Sequence, residues 1–120
     1  MSKRNISLLL EDIKEGIDNI EHYTHGFTQN VFEKDRKTID AVVRNFEIIG
    51  EAARALPDSY REVHQEIEWS QIIGLRNRVV HEYFDVDITI IWFIIEKELS
   101  PLKRKIEKQL NEETQGGNIT

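Results

Sequence analysis

The run Arg76-Asn77-Arg78-Val79-Val80-His81-Glu82-Tyr83 holds the side chains best suited to chemistry in this chain. Histidine titrates nearest neutrality, so neutral imidazole takes a proton from a hydroxyl and imidazolium returns one to a leaving oxygen. Arginine grips phosphate oxygens through paired N–H donors and offsets the charge that builds up in a transition state. Asn77, one turn before His81 on the same flank, is placed to hydrogen-bond the imidazole or a phosphate, and Arg78 adds a second cation for RNA. Arginine with histidine and no metal ligands suits cleavage of RNA, whose 2′-hydroxyl is an internal nucleophile that DNA lacks. One histidine at the site in each chain is short of an acid–base pair. A two-fold dimer supplies the second across an isologous interface. The plainer alternative makes Arg76 a structural arginine tied to a carboxylate, either Asp35 or Glu51, and His81 a surface histidine.

The elements that must position these residues read as helices throughout. At about 100° per residue, Trp69, Ile72, Ile73, Val79 and Val80 share one apolar face. Arg76 falls in its middle, and Tyr83 lies seven residues on, nearly in line. A charge in an apolar stripe costs on the order of several kcal/mol unless it is paired or faces a polar cavity. The same geometry sets Arg76 and His81 roughly 140° apart, so a dimer or a distortion of the helix has to bring them together.

Ile6, Leu9, Leu10, Ile13, Ile17 and Ile20 give a first helix from about Asn5 to Tyr23. After His25-Gly26-Phe27, Thr28 caps a long second helix through Phe32, Ile39, Val42, Val43, Phe46, Ile49 and Ala53, with Asp35 on its stripe and Glu51 on its flank. That helix stops at Leu56, ahead of Pro57. Ser59-Tyr60-Arg61-Glu62 has capping-box spacing and predicts a short connecting helix. The motif helix is expected from Trp69 to Phe84. Asp87 caps a last helix through Trp92, Ile95 and Leu99, which Ser100-Pro101 should kink or restart before Leu102, Ile106 and Leu110. The expected fold is all-α: an antiparallel bundle of four long helices and one short one, a single domain over 1–112 with a flexible tail over 113–120.

Composition narrows the function classes. The chain has 120 residues, enough for one domain with a sizeable core. With no cysteine, disulfides, thiolate zinc sites and thiol nucleophiles are excluded. The net charge of −6 argues against broad nucleic-acid binding and leaves room only for a local basic focus at Arg76 and Arg78. No signal core or membrane-length apolar run is visible, so the cytoplasm is the expected compartment. His22 and His25 stand three residues apart without a supporting metal motif, and His64 lies in a polar connector. Neither a metal nor a cofactor is expected.

Arg76-Asn77-Arg78-Val79-Val80-His81 resembles the R-x4-6-H motif of the HEPN domain superfamily, with its frequent polar residue after the arginine. The longer string from Trp69 through Ile72-Ile73-Gly74-Leu75 to Val86-Asp87 resembles the HepT-like branch. So do Ile48-Ile49-Gly50-Glu51-Ala52 and the segment from Trp92 to Leu102. The resemblance spans about residues 5 to 110. It implies a five-helix HEPN fold, a homodimer, and a metal-independent ribonuclease toxin of the HEPN/MNT toxin–antitoxin type, held in check by a minimal nucleotidyltransferase antitoxin. Arg76 and His81 carry over as the catalytic pair, and Asn77 as a supporting residue. Tyr83 completes R-x4-H-x-Tyr, whose tyrosine the antitoxin can adenylylate. A helical module that only docks the nucleotidyltransferase is the alternative.

Overall fold

The computed structural model describes the backbone of residues 3–119 and the side chains of 6–83 and 85–114. Helix α1 spans Lys3–Thr24. Its residues Leu10, Ile13, Ile17 and Ile20, one per helical turn, are buried. It packs on α3 (Arg36–Ala55) and on α8 (Leu99–Ile119). Val42, Phe46, Ile49 and Ala53 are the buried stripe of α3.

The second helix expected from the sequence is divided in two. A short α2, Gln29–Glu33, is capped by Thr28, whose side chain accepts from the Val31 amide. The chain then breaks at Lys34-Asp35. Asp35 is the N-cap of α3, and its carboxylate accepts from the backbone N–H of Thr38 at 3.1 Å and from the Thr38 hydroxyl at 2.8 Å. A short acidic side chain that satisfies the backbone locally competes with helix continuation, which explains the break. As expected, α3 ends at Leu56, which turns extended ahead of Pro57. The connecting helix α4 is Asp58–Val63; it begins after Pro57, and Ser59 does not cap it.

The motif region departs furthest from the expected single helix. It forms two short pieces, α5 (Trp69–Ile73) and α6 (Leu75–Val79), joined at Gly74, and the helix is over by Val80. After a loop, Asp87 caps α7 (Ile88–Phe93) by accepting from the Ile90 amide at 3.1 Å. A π-helical turn over Ile94–Glu98 then leads directly into α8. Proline has no N–H to offer the carbonyl four residues back. The helix accommodates Pro101 by widening just before it instead of restarting. Helix α8 runs to Ile119, past residue 113 where the apolar period is lost. The side chains of 115–120, within the expected tail, lie outside the described residues.

The architecture is an all-α bundle, as the periodicity predicts. Two long antiparallel helices, α1 and α3, and the composite α7–α8 rod surround the core, and the short helices complete it. Phe32 packs on Trp92 with ring centroids 5.3 Å apart, anchoring α2 to α7. Lys103 ties α8 to α1 through Asp18 at 2.7 Å and Glu21 at 3.2 Å. Among the described residues there is no strand, only an isolated bridge between Val80 and Val86. No described helix is long and apolar enough to cross a membrane.

Candidate active site

Gly50 sets the distance between α3 and the motif region. A Cβ there would lie 2.9 Å from the Ile73 carbonyl oxygen and 3.2 Å from that of Ile72, so the C-terminal end of α5 rests directly on the α3 backbone. From that seat α6 begins. Leu75 and Val79, four residues apart, turn into the core. Arg76, their neighbour in sequence, points towards the boundary.

The break at Gly74 therefore removes the anomaly seen in a continuous helix. The Arg76 side chain is 37% exposed, not buried in an apolar stripe, and its Nε lies 3.8 Å from Oε2 of Glu47. Such a half-exposed contact is worth little in stability. Glu47 also receives Arg44 on its other oxygen. The two carboxylates expected to pair with Arg76 do not. Asp35 is spent on Thr38, whose donors hold its carboxyl below the usual range. Glu51, one turn beyond Glu47, is exposed and lines the same small cavity of about 130 Å³ without an ion pair to Arg76. Asn77 and Arg54 also line it, over a floor of Phe46, Gly50 and Ile73.

Arg78 faces elsewhere. Its two terminal nitrogens each donate to one oxygen of Glu98 at 2.9 Å, a bidentate pair that fastens α6 to the π-turn. That hydrogen bonding raises the guanidinium pKa further. The residue expected to hold RNA is thus paired with a carboxylate and remains partly exposed. It also lines a larger recess of about 360 Å³ between α5, α6 and the last helix, which includes none of Arg76, His81 and Tyr83.

Beyond Val79 the chain folds back on itself. Val80 is extended and bridges Val86, the Asp87 amide donates to the Val79 carbonyl at 2.8 Å, and the His81 amide donates to the Asp85 carbonyl at 2.6 Å. β-Branched Val79 and Val80 favour leaving the helix at this point. His81 consequently stands on a loop and not on a helix face, so the 140° separation no longer applies. Its side chain is 53% exposed, with Nε2 3.6 Å from Oδ2 of Asp87. At the tip, Tyr83 is 94% exposed and has φ 59° and ψ 28°, a left-handed conformation unusual for an aromatic residue. Backbone strain of this kind gathers at functional positions.

Arg76, Asn77, His81 and Tyr83 therefore all reach solvent. Glu47 and Asp87 were not identified from the sequence as their partners. Asp87 was legible as a helix cap, but its second role depends on a loop whose closure the helical period concealed. Glu47 could have been found as the carboxylate one turn before Glu51. Elsewhere, His64 sits against the Tyr60 ring, with centroids 4.3 Å apart, and near Glu66. Among the described residues no group of three or more histidines and carboxylates is arranged to hold a metal.

Comparison with known proteins gives a consistent result. The family described as "Ribonuclease HepT-like" matches residues 13–109. "Probable ribonuclease HepT" of Thermococcus cleftensis is 39% identical over 106 residues, covering 88% of this chain and 96% of that protein. A candidate RNase of Methanocaldococcus jannaschii is 34% identical over 107 residues, covering 89% of this chain and 98% of its own length. Another, from Caldanaerobacter subterraneus subsp. tengcongensis, is 38% identical over 104 residues, covering 87% and 93% respectively. No solved structure matches the chain. Since one family spans most of the sequence and these relatives align along nearly their full length, the chain belongs to the HepT-like ribonuclease family of the HEPN superfamily.

Proposed function

We propose that the chain is a metal-independent endoribonuclease toxin acting as a homodimer in the cytoplasm, with Arg76 and His81 as its catalytic pair. The observation that carries this reading is the end of the helix at Val79, which leaves His81 and Tyr83 on an exposed loop close in sequence to a solvent-accessible Arg76. The relatives named as ribonucleases support it. In the proposed step, His81 takes the proton of an RNA 2′-hydroxyl as that oxygen bonds to the adjacent phosphorus. Arg76 offsets charge on the non-bridging oxygens. The bond from phosphorus to the 5′-oxygen breaks, and that oxygen takes a proton from the imidazolium of the partner subunit's His81. The products are a 2′,3′-cyclic phosphate and a 5′-hydroxyl. Asn77 supports the bound phosphate.

Control is assigned to a minimal nucleotidyltransferase antitoxin that transfers AMP from a nucleoside triphosphate to the Tyr83 hydroxyl, releasing pyrophosphate. The added phosphodiester places negative charge two residues from His81, where it repels RNA. Tyr83 is suited to this by its exposure at the loop tip.

Arg76→Ala and His81→Ala are each expected to abolish RNA cleavage and growth arrest while leaving a folded dimer. Retained cleavage by either purified variant overturns the mechanism. A second reading, a non-catalytic module that docks the nucleotidyltransferase, is favoured by the net charge of −6 and by the engagement of Arg78 with Glu98. It predicts a tight complex with that partner and no cleavage at any pH.

A further inference from the structure

We infer that Asp87 is a positioning residue for His81: it holds the proton of the imidazole at Nε2 and leaves Nδ1 as the atom that meets RNA. The catalytic consequence rests on the ribonuclease reading above; the geometry does not. Asp87 is fixed on two sides before the imidazole is considered. Its amide donates to the Val79 carbonyl at 2.8 Å, and its Oδ1 accepts from the Ile90 amide at 3.1 Å. The remaining oxygen, Oδ2, is the one 3.6 Å from His81 Nε2. His81 is held from the other side, through its amide on the Asp85 carbonyl and through the neighbouring Val80–Val86 bridge. Both ends of the loop are thus pinned so that ring and carboxylate face each other.

An ionised carboxylate only accepts hydrogen bonds. Facing Nε2, it favours the tautomer with the proton on that nitrogen, and the lone pair then lies on Nδ1. The 2′-hydroxyl proton passes to Nδ1 as the 2′-oxygen bonds to phosphorus, and the proton on Nε2 stays where it was. The cation so formed is offset by Asp87. A separation of 3.6 Å is longer than a hydrogen bond, and contacts of this kind shorten when substrate is bound and the ring becomes charged. One side chain therefore joins two tasks: it starts α7 and it fixes the reacting face of the imidazole.

The test separates these tasks. Asparagine caps a helix as well as aspartate does, so Asp87→Asn is expected to keep the wild-type melting temperature. Nitrogen-15 NMR of the His81 ring, recorded on the intact protein without RNA, is expected to show a proton on Nε2 in the wild type and a shifted tautomer ratio in Asp87→Asn. With RNA, kcat is expected to fall at least about tenfold while KM changes less than about twofold, the pattern of a group that acts in the transition state. Ring nitrogen shifts in Asp87→Asn identical to wild type overturn the inference, as does a proton on Nδ1 in the wild type, which is measurable even where the variant fails to fold. A wild-type protein that cleaves no RNA counts against the ribonuclease reading alone, and the ring measurement still decides the role of Asp87.

Discussion

Tyr83 holds a left-handed backbone conformation, the only such non-glycine case among the described residues, while its side chain stands almost fully in solvent. Packing does not explain it, because so exposed a ring has little burial to gain. For L-residues this region costs about 1–2 kcal/mol, and asparagine tolerates it far better than alanine. Tyr83→Asn is therefore expected to unfold at higher denaturant than Tyr83→Ala, by up to about 1 kcal/mol. Equal midpoints for the two variants would show that the loop relaxes and stores no strain. Residue type and spacing singled out Arg76 and His81 as candidates, and the family resemblance paired them. Their partners were not legible. Glu47 becomes the neighbour of Arg76 only after Gly74 turns the helix, and Asp87 meets His81 only after the chain reverses.

At the scale of elements, the helical period placed α1, most of α3 and the composite rod that ends in α8. It missed breaks where one side chain outweighs the pattern. Asp35 sits on the apolar stripe, so periodicity reads through it, yet its carboxylate binds Thr38 and starts a new helix. This contact has a pH signature. The Thr38 donors lower the Asp35 pKa in the folded state below the ordinary 3.8. The stabilisation is thus fully present above that value and is lost as pH falls through the folded pKa. The melting-temperature gap between wild type and Asp35→Ala is expected to be widest near neutrality and to narrow below pH 3.8. A gap constant from neutral to strongly acidic pH would remove Asp35 as a charged cap.

Gly50 supplies a second test at this scale. The atoms a Cβ would meet are the backbone oxygens of Ile72 and Ile73, which cannot swing aside as a side-chain end can. Gly50→Ala is expected to lose about 1–3 kcal/mol through overpacking and to lower cleavage, because α5 must lift and carry Arg76 away from Glu47. Wild-type stability in denaturant titration would show that α3 and α5 separate freely. The Ile-Ile-Gly-Glu-Ala string was visible in the sequence, but its reason, a helix end seated on a bare backbone, is tertiary.

For the molecule as a whole, the proposed reaction draws on two imidazoles while the proposed site of one chain holds one, so that proposal requires a second copy. Under the proposed two-imidazole mechanism, mixed dimers of wild-type and His81→Ala chains are expected to cleave far more slowly than half the wild-type rate. A rate near one half in a purified mixed dimer would mean that each protomer works alone. Composition and periodicity made the all-α class readable. The break ahead of the Asp87 cap was readable, but the earlier end of the helix after Val79 was not, because Val79, Val80 and Tyr83 keep helical spacing while backbone hydrogen bonds across the loop close it.

The most direct measurement is RNA cleavage by the purified protein in excess chelator, with the ends of the fragments identified. The Arg76–His81 mechanism predicts cleavage undiminished by chelator, fragments ending in 2′,3′-cyclic phosphate and 5′-hydroxyl, and none of these fragments from His81→Ala. Loss of activity on chelation, ends of another kind, or cleavage by His81→Ala would contradict it.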